Sequence, residues 1–232
     1  MSVRENYLKV SERKDAAAAR CGRSGADVLL VAVTKTHGPD EINEAIRAGA
    51  TDIGENKVQE ILEKYESVLP VRWHMIGHLQ RNKVKSIIDK VVMIHSVDSV
   101  RLAKEIDKRA GDAGLVMDVL LQVNIGDEAS KTGASADEFF PMLEEIMADC
   151  RNVRVRGLMC VPPAGESPED AREYFARARE MFERMKTFEY DETRFCPDTL
   201  SMGMSGDFEV AIEEGSNLVR VGSSIFGRRN YR

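Results

Sequence analysis

Lys35 is the residue whose type and position most directly suggest chemistry. It follows the apolar run Val28–Val33, which is typical of a buried strand, so its amine is expected to lie where that strand ends. Partial burial among strand ends can lower the pKa of an amine toward neutrality, and a deprotonated lysine attacks aldehydes. A solvated lysine after a strand would have the same local sequence, so Lys35 alone leaves both interpretations open.

Two loops near the end of the chain have the composition of anion sites. Ser205-Gly206-Asp207 precedes a predicted helix over Phe208–Glu214, and Gly222-Ser223-Ser224 follows a predicted strand. Backbone N–H groups ahead of a helix, together with serine hydroxyls, bind phosphate oxygens. Taken singly, the first loop could be only a helix N-cap and the second only a turn. Together with Lys35 they predict a phosphorylated carbonyl ligand, either pyridoxal 5'-phosphate (PLP) or the substrate of a barrel aldolase.

The segments that position these groups alternate between short apolar runs and helix-like stretches. Eight strands are predicted, at Val28–Thr34, Thr51–Gly54, Val71–Ile76, Val91–His95, Val116–Asn124, Val153–Met159, Asp198–Met202 and Leu218–Val221. Helices are predicted among others at Asp40–Ala48, Lys57–Ser67, Val100–Ala110, Ala136–Ala148 and Glu169–Lys186, with an extra leading helix over Met1–Cys21. This order favours an α/β fold, a (β/α)₈ TIM barrel forming a single domain over residues 1–232. An open doubly wound sheet is the alternative, but its GxGxxG phosphate motif is absent.

Composition and charge narrow the class of protein. The chain of 232 residues is 43% hydrophobic and 31% charged with a net charge of −6, so nothing indicates a general attraction to nucleic acid or an anionic membrane. The four cysteines are scattered without close Cys/His pairs, which predicts free thiols and no metal site. No long apolar segment is present, so we expect a cytoplasmic protein with small-molecule partners.

Six ordered stretches of the chain resemble the PLP homeostasis protein family, whose fold is that of the alanine racemase N-terminal barrel. They are Val31–Lys35, Gly54–Glu60, Trp73–Gln80, Asn82-Lys83, Leu200–Ser205 and Val219–Gly222. These stretches span nearly the whole chain, and their order and length make the resemblance specific. It implies that the cofactor is PLP and that Lys35 carries it as a Schiff base.

The resemblance also implies cofactor contacts for six further residues. Asn56 would lie beside the ring, Arg220 would approach the pyridine nitrogen, and Met204 would pack near the cofactor. The phosphate would be held by Ser205, Gly222 and Ser223, the last of which replaces the family's usual threonine and keeps its hydroxyl. Lys131 matches a family lysine that is linked to the handling of PLP.

These assignments indicate binding of PLP more than turnover. An arginine stays protonated and cannot accept a hydrogen bond from a protonated pyridine nitrogen, so a ring beside Arg220 would be a weak electron sink. Only ten residues follow Gly222, and we therefore expect an exposed cofactor without the β domain that supplies a second acid/base group in alanine racemase. His74 and His78 are assigned structural roles, and no catalytic residue is predicted.

Three functions remain open from the sequence. The favoured one is a monomeric PLP carrier without robust catalysis, which buffers PLP and delivers it through transient contacts with PLP-dependent apoenzymes. The second is a small PLP-dependent racemase, for which amino acids would be further partners. The third is a lysine Schiff-base aldolase without PLP, which fits the predicted barrel but not the ordered family motifs.

Overall fold

Eight parallel strands close into a barrel in the computed structural model, which describes residues 2–126 and 132–227. The strands are β1 (Leu29–Val33), β2 (Asp52–Glu55), β3 (Arg72–Met75), β4 (Met93–Val97), β5 (Met117–Val123), β6 (Val153–Cys160), β7 (Phe195–Ser201) and β8 (Leu218–Val221). Each strand pairs with the next, and β8 closes the barrel against β1 with Arg220 opposite Val31. The predicted (β/α)₈ barrel is confirmed, and every predicted strand overlaps the observed one.

Helices surround this barrel and connect its strands. They are α1 (Val3–Arg20), α2 (Pro39–Arg47), α3 (Val58–Lys64), α4 (Val100–Asp112), α5 (Ala136–Asp149), α6 (Arg172–Met185), α7 (Phe208–Glu213) and α8 (Ser223–Phe226). Short 3-10 helices occur at Gly25–Asp27, Arg81–Ser86 and Pro168–Ala171. The predicted helix over Glu169–Lys186 therefore begins as a 3-10 turn, and the predicted helix over Lys57–Ser67 ends three residues earlier.

The extra leading helix, α1, lies against the helices of the last two β/α units. Ser2 caps it by accepting a hydrogen bond from the Glu5 amide, and the Glu5 side chain bonds back to the Ser2 amide. The helix packs against α7 and α8. Asn6 Nδ2 donates to the carbonyl oxygen of Ile225 at 3.0 Å, which joins α1 to α8 directly. The position of α8 thus depends on a helix from the other end of the chain.

The core has an outer apolar layer and a mixed interior. Most buried apolar side chains form one cluster between the sheet and its helices, whereas Met93, Leu120 and Met159 form a separate, smaller cluster. Buried polar side chains, among them His74 and His95, accompany these apolar residues.

None of the helices in residues 2–126 and 132–227 has the length and apolarity that a bilayer crossing requires.

Candidate functional site

A cavity of about 370 Å³ opens at the C-terminal ends of the strands, where barrel enzymes have their sites. Its lining includes all seven residues that the sequence analysis assigned to the cofactor: Lys35, Asn56, Met204, Ser205, Arg220, Gly222 and Ser223. These residues lie at the C-terminal ends of β1, β2, β7 and β8 or shortly after them, with Ser223 at the start of α8. Because these four strands are neighbours in the closed sheet, the residues gather on one side of the barrel mouth.

The backbone before Lys35 is held by a buried ion pair. Lys64 Nζ donates to the carbonyl oxygen of Thr34 at 3.0 Å and to Glu55 Oε1 at 2.7 Å. The Thr34 hydroxyl donates to the same Glu55 oxygen at 2.7 Å. Burial raises the pKa of Glu55, although both hydrogen bonds oppose the shift, and Glu55 Oε2 has no partner among the described residues. The carboxyl of Glu55 therefore anchors the end of β1.

The backbone after Lys35 is strained and is held by a second carboxylate. Thr36 has a φ of 69°, the one positive value for a non-glycine residue in the described ranges, and this region is unfavourable for a β-branched side chain. Its amide donates to Glu60 Oε2 at 2.6 Å, and the same oxygen accepts from Lys64 at 2.8 Å. Although burial opposes the shift, these two hydrogen bonds lower the pKa of Glu60. One lysine, Lys64, thus links both sides of Lys35.

Asn56 is positioned by the close approach of the loop that follows β3. A Cβ atom at Gly77 would lie 2.3 Å from the carbonyl oxygen of Asn56 and 2.6 Å from its Cα atom. Because both atoms belong to the backbone, neither can rotate away from a larger residue. Glycine at position 77 therefore allows the β2 and β3 loops to meet at the mouth.

The two serine-rich loops meet at the side chain of Ser205. Its Oγ atom accepts hydrogen bonds from the backbone amides of Gly222 at 3.1 Å and Ser224 at 3.3 Å. Ser224 Oγ donates in return to the carbonyl oxygen of Ser205 at 3.4 Å. Two amides from the loop after β8 therefore converge on one oxygen atom of the loop after β7, an arrangement that suits the oxygens of a bound anion.

Arg220 supplies a buried positive charge at the cavity wall. Its Nη1 donates to Ser201 Oγ, and its Nη2 donates to the carbonyl oxygen of Cys160 at 3.0 Å. Burial lowers the pKa of Arg220, and burial raises the pKa of Cys160 to about 12, so the thiol stays uncharged. Burial also raises the pKa of Asp207, whose carboxylate accepts from the Met204 amide. The guanidinium is therefore bonded to neutral oxygens.

Some residues of the cavity lining were not identified from the sequence. These additional lining residues are Val33, His37, Ile76, Val161 and Gly227, whereas Gly206 belongs to the predicted anion loop Ser205-Gly206-Asp207. The His37 ring stacks on Phe226 with centroids 4.8 Å apart, and its Nδ1 lies 3.1 Å from Glu41 Oε2. Its position two residues after Lys35 was the available signal. The apolar lining residues carry no chemical signal and are recognisable only from their place at strand ends.

Two other residues considered in the sequence analysis, His74 and His78, are not part of this cavity lining. His74 is buried within β3, as expected for a structural role, and bonds to Asp52 and His95. His78 is more than half exposed, and its Nδ1 lies 3.4 Å from Asp98 Oδ2. Lys131 lies outside the described residues. Within those residues, no group of His, Cys, Asp or Glu could hold a metal ion.

The fold has counterparts among solved structures. A protein of unknown function from Bifidobacterium adolescentis superposes with a TM-score of 0.89 and 34% identity, covering 97% of this chain and 94% of that one. PipY of Synechococcus elongatus, solved with PLP bound, superposes with a TM-score of 0.79 and 33% identity, covering 94% of this chain and 100% of PipY. An alanine racemase from Clostridium difficile, at 12% identity and a TM-score of 0.72, shares the fold.

Sequence comparison gives the family. The model of the alanine racemase N-terminal domain family matches residues 13–230. The pyridoxal phosphate homeostasis protein of Aquifex aeolicus is 44% identical over 100% of both chains. The protein of the same description from Pseudomonas aeruginosa is 40% identical over 99% of this chain and 97% of its own. The chain therefore belongs to the pyridoxal phosphate homeostasis protein family.

Proposed function

We propose that this chain binds PLP in the mouth cavity, holds it as a Schiff base on Lys35, and buffers and delivers it. The observation that carries the proposal is that one cavity brings together a lysine, a buried arginine and two serine-rich loops. Its volume of about 370 Å³ lies within the usual range for small-ligand sites. The PLP-bound structure of PipY adds independent support.

The donor set of the cavity fits the phosphate group of PLP. The amides of Gly222 and Ser224 donate to Ser205 Oγ, which fixes this hydroxyl and leaves its proton to donate to an anion. The hydroxyls of Ser205 and Ser223 add donors at the same edge. Asn56 and Met204 also line the cavity, and by family resemblance Asn56 is assigned to the ring and Met204 to packing near the cofactor.

Lys35 supplies the amine, and its neighbours keep that amine at the cavity. PLP brings an aldehyde that condenses with an amine and releases water, forming a bond that a second amine can exchange. The chain's own contribution is to hold the backbone on both sides of Lys35 through Thr34 and Thr36. A fixed backbone reduces the entropy that is lost when the side chain becomes attached.

Arg220 argues for storage and delivery over catalysis. Its guanidinium only donates hydrogen bonds, so it would face the pyridine nitrogen as a donor and keep that nitrogen unprotonated. Reactions that use the ring as a strong electron sink are then disfavoured. We therefore propose a cytoplasmic, monomeric carrier that passes PLP to amino acids or, in transient contacts, to PLP-dependent apoenzymes.

Borohydride reduction followed by peptide mass spectrometry tests the attachment. The chain is incubated with PLP, reduced and digested, and the pyridoxyl group is expected on the peptide that contains Lys35. Lys35→Ala is expected to lose both this adduct and the visible absorbance band of the bound cofactor. Lys57→Ala, which removes an exposed lysine next to Asn56, is the matched control and is expected to keep both. An adduct on another lysine would contradict the assignment.

Two assays of the PLP-loaded chain distinguish a carrier from an enzyme. The PLP-loaded chain is mixed with a PLP-dependent apoenzyme in the presence of a scavenger of free PLP, and recovery of the apoenzyme's activity is expected. In parallel, L-alanine is incubated with the loaded chain, and its optical rotation is expected to stay constant. Racemisation of alanine would favour the racemase alternative, and an adduct formed only from other phosphorylated carbonyl compounds would favour the aldolase.

A further inference from the structure

Five buried polar side chains form a continuous hydrogen-bonded chain inside the barrel, here called the interior chain. Its members, each at most 4% exposed, are Asp52, His74, His95, Ser201 and Arg220. Asp52 Oδ1 lies 2.8 Å from His74 Nε2, and His74 Nδ1 lies 2.9 Å from His95 Nε2. His95 Nδ1 lies 3.3 Å from Ser201 Oγ, to which Arg220 Nη1 also donates.

The interior chain connects the two ends of the barrel. His95 is in β4 and Ser201 is in β7, and because these strands are not neighbours in the sheet, their contact crosses the barrel interior. Asp52 lines a second cavity, at the amino ends of the strands, whereas Arg220 lines the cavity at the mouth. Buried polar groups without hydrogen-bond partners strongly destabilise a fold. Each member of the interior chain therefore needs its hydrogen bonds to its neighbours.

The two ends of the interior chain determine the direction of its hydrogen bonds. A carboxylate only accepts, so His74 Nε2 carries the proton that is donated to Asp52. In a neutral ring His74 Nδ1 then accepts, and His95 Nε2 must donate to it. His95 Nδ1 accepts in turn, and its donor is the hydroxyl of Ser201. The lone pairs of Ser201 Oγ remain for Arg220, which only donates. With both rings neutral, every bond is made in this single arrangement.

The charge of His95 agrees with this arrangement. Burial, and after it the nearby His74 and Arg220, lower the pKa of His95 well below its ordinary value. The neighbouring Cys160 thiol is uncharged, because burial raises its pKa to about 12. Arg72 offsets the charge of Asp52 at the far end through two hydrogen bonds of 2.8 and 2.5 Å.

We propose that His95, His74 and Ser201 are positioning residues for PLP binding, because they direct the acceptor lone pairs of Ser201 toward Arg220. Arg220 thereby donates to Ser201 Oγ, while the hydroxyl proton of Ser201 is donated to His95 Nδ1. The inference rests on the proposed function only in assuming that Arg220 faces the ligand. The interior chain itself is a property of the protein without ligand.

Nuclear magnetic resonance of the protein without PLP tests the direction of the bonds. Long-range ¹H–¹⁵N correlation spectra at neutral pH are expected to show His95 as a neutral ring protonated at Nε2, with His74 Nε2 carrying the proton that it donates to Asp52. The Nε–H signal of Arg220 is expected to be sharp and resolved, as for an immobilised guanidinium. A proton on His95 Nδ1, or a positively charged His95, would overturn the proposal, because Ser201 would then have to accept from both sides.

Two substitutions at one position separate positioning from packing. His95→Leu removes both hydrogen bonds, whereas His95→Gln retains one donor and one acceptor in a side chain of similar length. His95→Leu is expected to broaden the Arg220 signal and weaken PLP binding by about tenfold to a hundredfold, the loss typical of a hydrogen bond to a charged group. His95→Gln is expected to restore the Arg220 signal and most of the affinity. If the folded Leu variant binds PLP as tightly as the wild type, the proposal is wrong.

Ser201→Ala tests the same chain if His95→Leu fails to fold, since it removes a single hydroxyl group. It is expected to mobilise Arg220 and weaken PLP binding in the same way. A failure of the proposed function is distinguishable from a failure of this inference. If the wild type does not bind PLP while the tautomers and the Arg220 signal are as expected, the carrier function is wrong and the interior chain stands.

Discussion

The two ends of the barrel hold arginine side chains in different ways. At the base, formed by the amino ends of the strands, carboxylates and guanidiniums neutralise one another. Asp52 accepts two hydrogen bonds from Arg72, of 2.8 and 2.5 Å. Asp118 accepts from Arg154 at 2.5 and 3.0 Å and from Arg156 at 2.8 Å. The paired charges at this end leave little net field to attract an ion.

At the mouth the buried guanidinium of Arg220 is held by neutral groups. Arg220 donates to a serine hydroxyl and to the carbonyl oxygen of Cys160, and backbone amides converge on Ser205 Oγ. Hydrogen bonds to neutral oxygens orient a guanidinium without cancelling its charge. The comparison indicates that the base serves the stability of the barrel, whereas the mouth keeps donors and positive charge for an anionic ligand.

The largest expected effect is a loss of stability when Gly203, in the loop after β7 at the mouth, is replaced. Gly203 has a φ of 96°, and a Cβ atom there would lie 2.6 Å from Ala211 Cβ and 2.9 Å from Phe208 Cα. Gly203→Ala is therefore expected to lower the free energy of unfolding by about 3 kcal/mol, through overpacking and backbone strain. Gly206→Ala in the same loop is the matched control, because a Cβ atom there meets nothing within 4 Å. Urea unfolding measures both, and equal stabilities would show that the loop is not tightly packed.

The next effect tests whether the base contributes to stability. Burial would raise the pKa of Asp52, but the hydrogen bonds from His74, Arg72 and Thr51 outweigh it and lower that pKa. The stabilisation is therefore fully present above the ordinary value of 3.8 and is lost as the pH falls toward the folded-state pKa. Asp52→Asn is expected to cost about 2 kcal/mol at neutral pH and less in acid.

Urea unfolding at neutral and acidic pH measures the Asp52→Asn effect. Arg154→Ala provides a comparison at the same end of the barrel, since its side chain is 39% exposed and its loss is expected to cost less than about 1 kcal/mol. A cost for Asp52→Asn that grows as the pH falls would mean that folding raises the pKa of Asp52, opposite to the direction expected from its hydrogen bonds.

The smallest effect sharpens the assignment of the phosphate site to the mouth. Ser205→Ala removes the oxygen on which the amides of Gly222 and Ser224 converge, and is expected to weaken PLP binding about tenfold. Thr199→Val at the base removes a hydroxyl that donates to Asp198 at 2.8 Å, and is expected to leave PLP affinity unchanged. Titration calorimetry with PLP measures both variants. Equal losses would mean that the two ends do not differ as proposed.

The parts of the fold that depend on local pattern were predictable. The apolar run ending before Lys35 predicted β1, and the eight predicted strands are those of the closed barrel. The leading helix α1 was likewise predicted from residues near each other in the chain. The 3-10 form of the short helix at Arg81–Ser86 was not predictable, because a segment of this length does not show the 3.6-residue period that distinguishes an α-helix.

Contacts between distant residues were not predictable in the same way. The structure pairs Glu55 with Lys64, and both side chains hold Thr34, from which they are 21 and 30 positions away, respectively. The meeting of His95 with Ser201 was not foreseen. These residues are 106 positions apart, and only closure of the barrel brings β4 and β7 within reach of one another.

The sequence by itself determined the order of strands and helices and the residue types at the strand ends, because hydrophobic periodicity and turn composition act over a few residues. It also contained the motifs that indicate the family. Only the tertiary structure decided which polar groups share the mouth, which charges cancel at the base, and how Asp52 connects to Arg220. Those outcomes depend on which side chains the closed barrel forces together and on the need of every buried polar group for a partner.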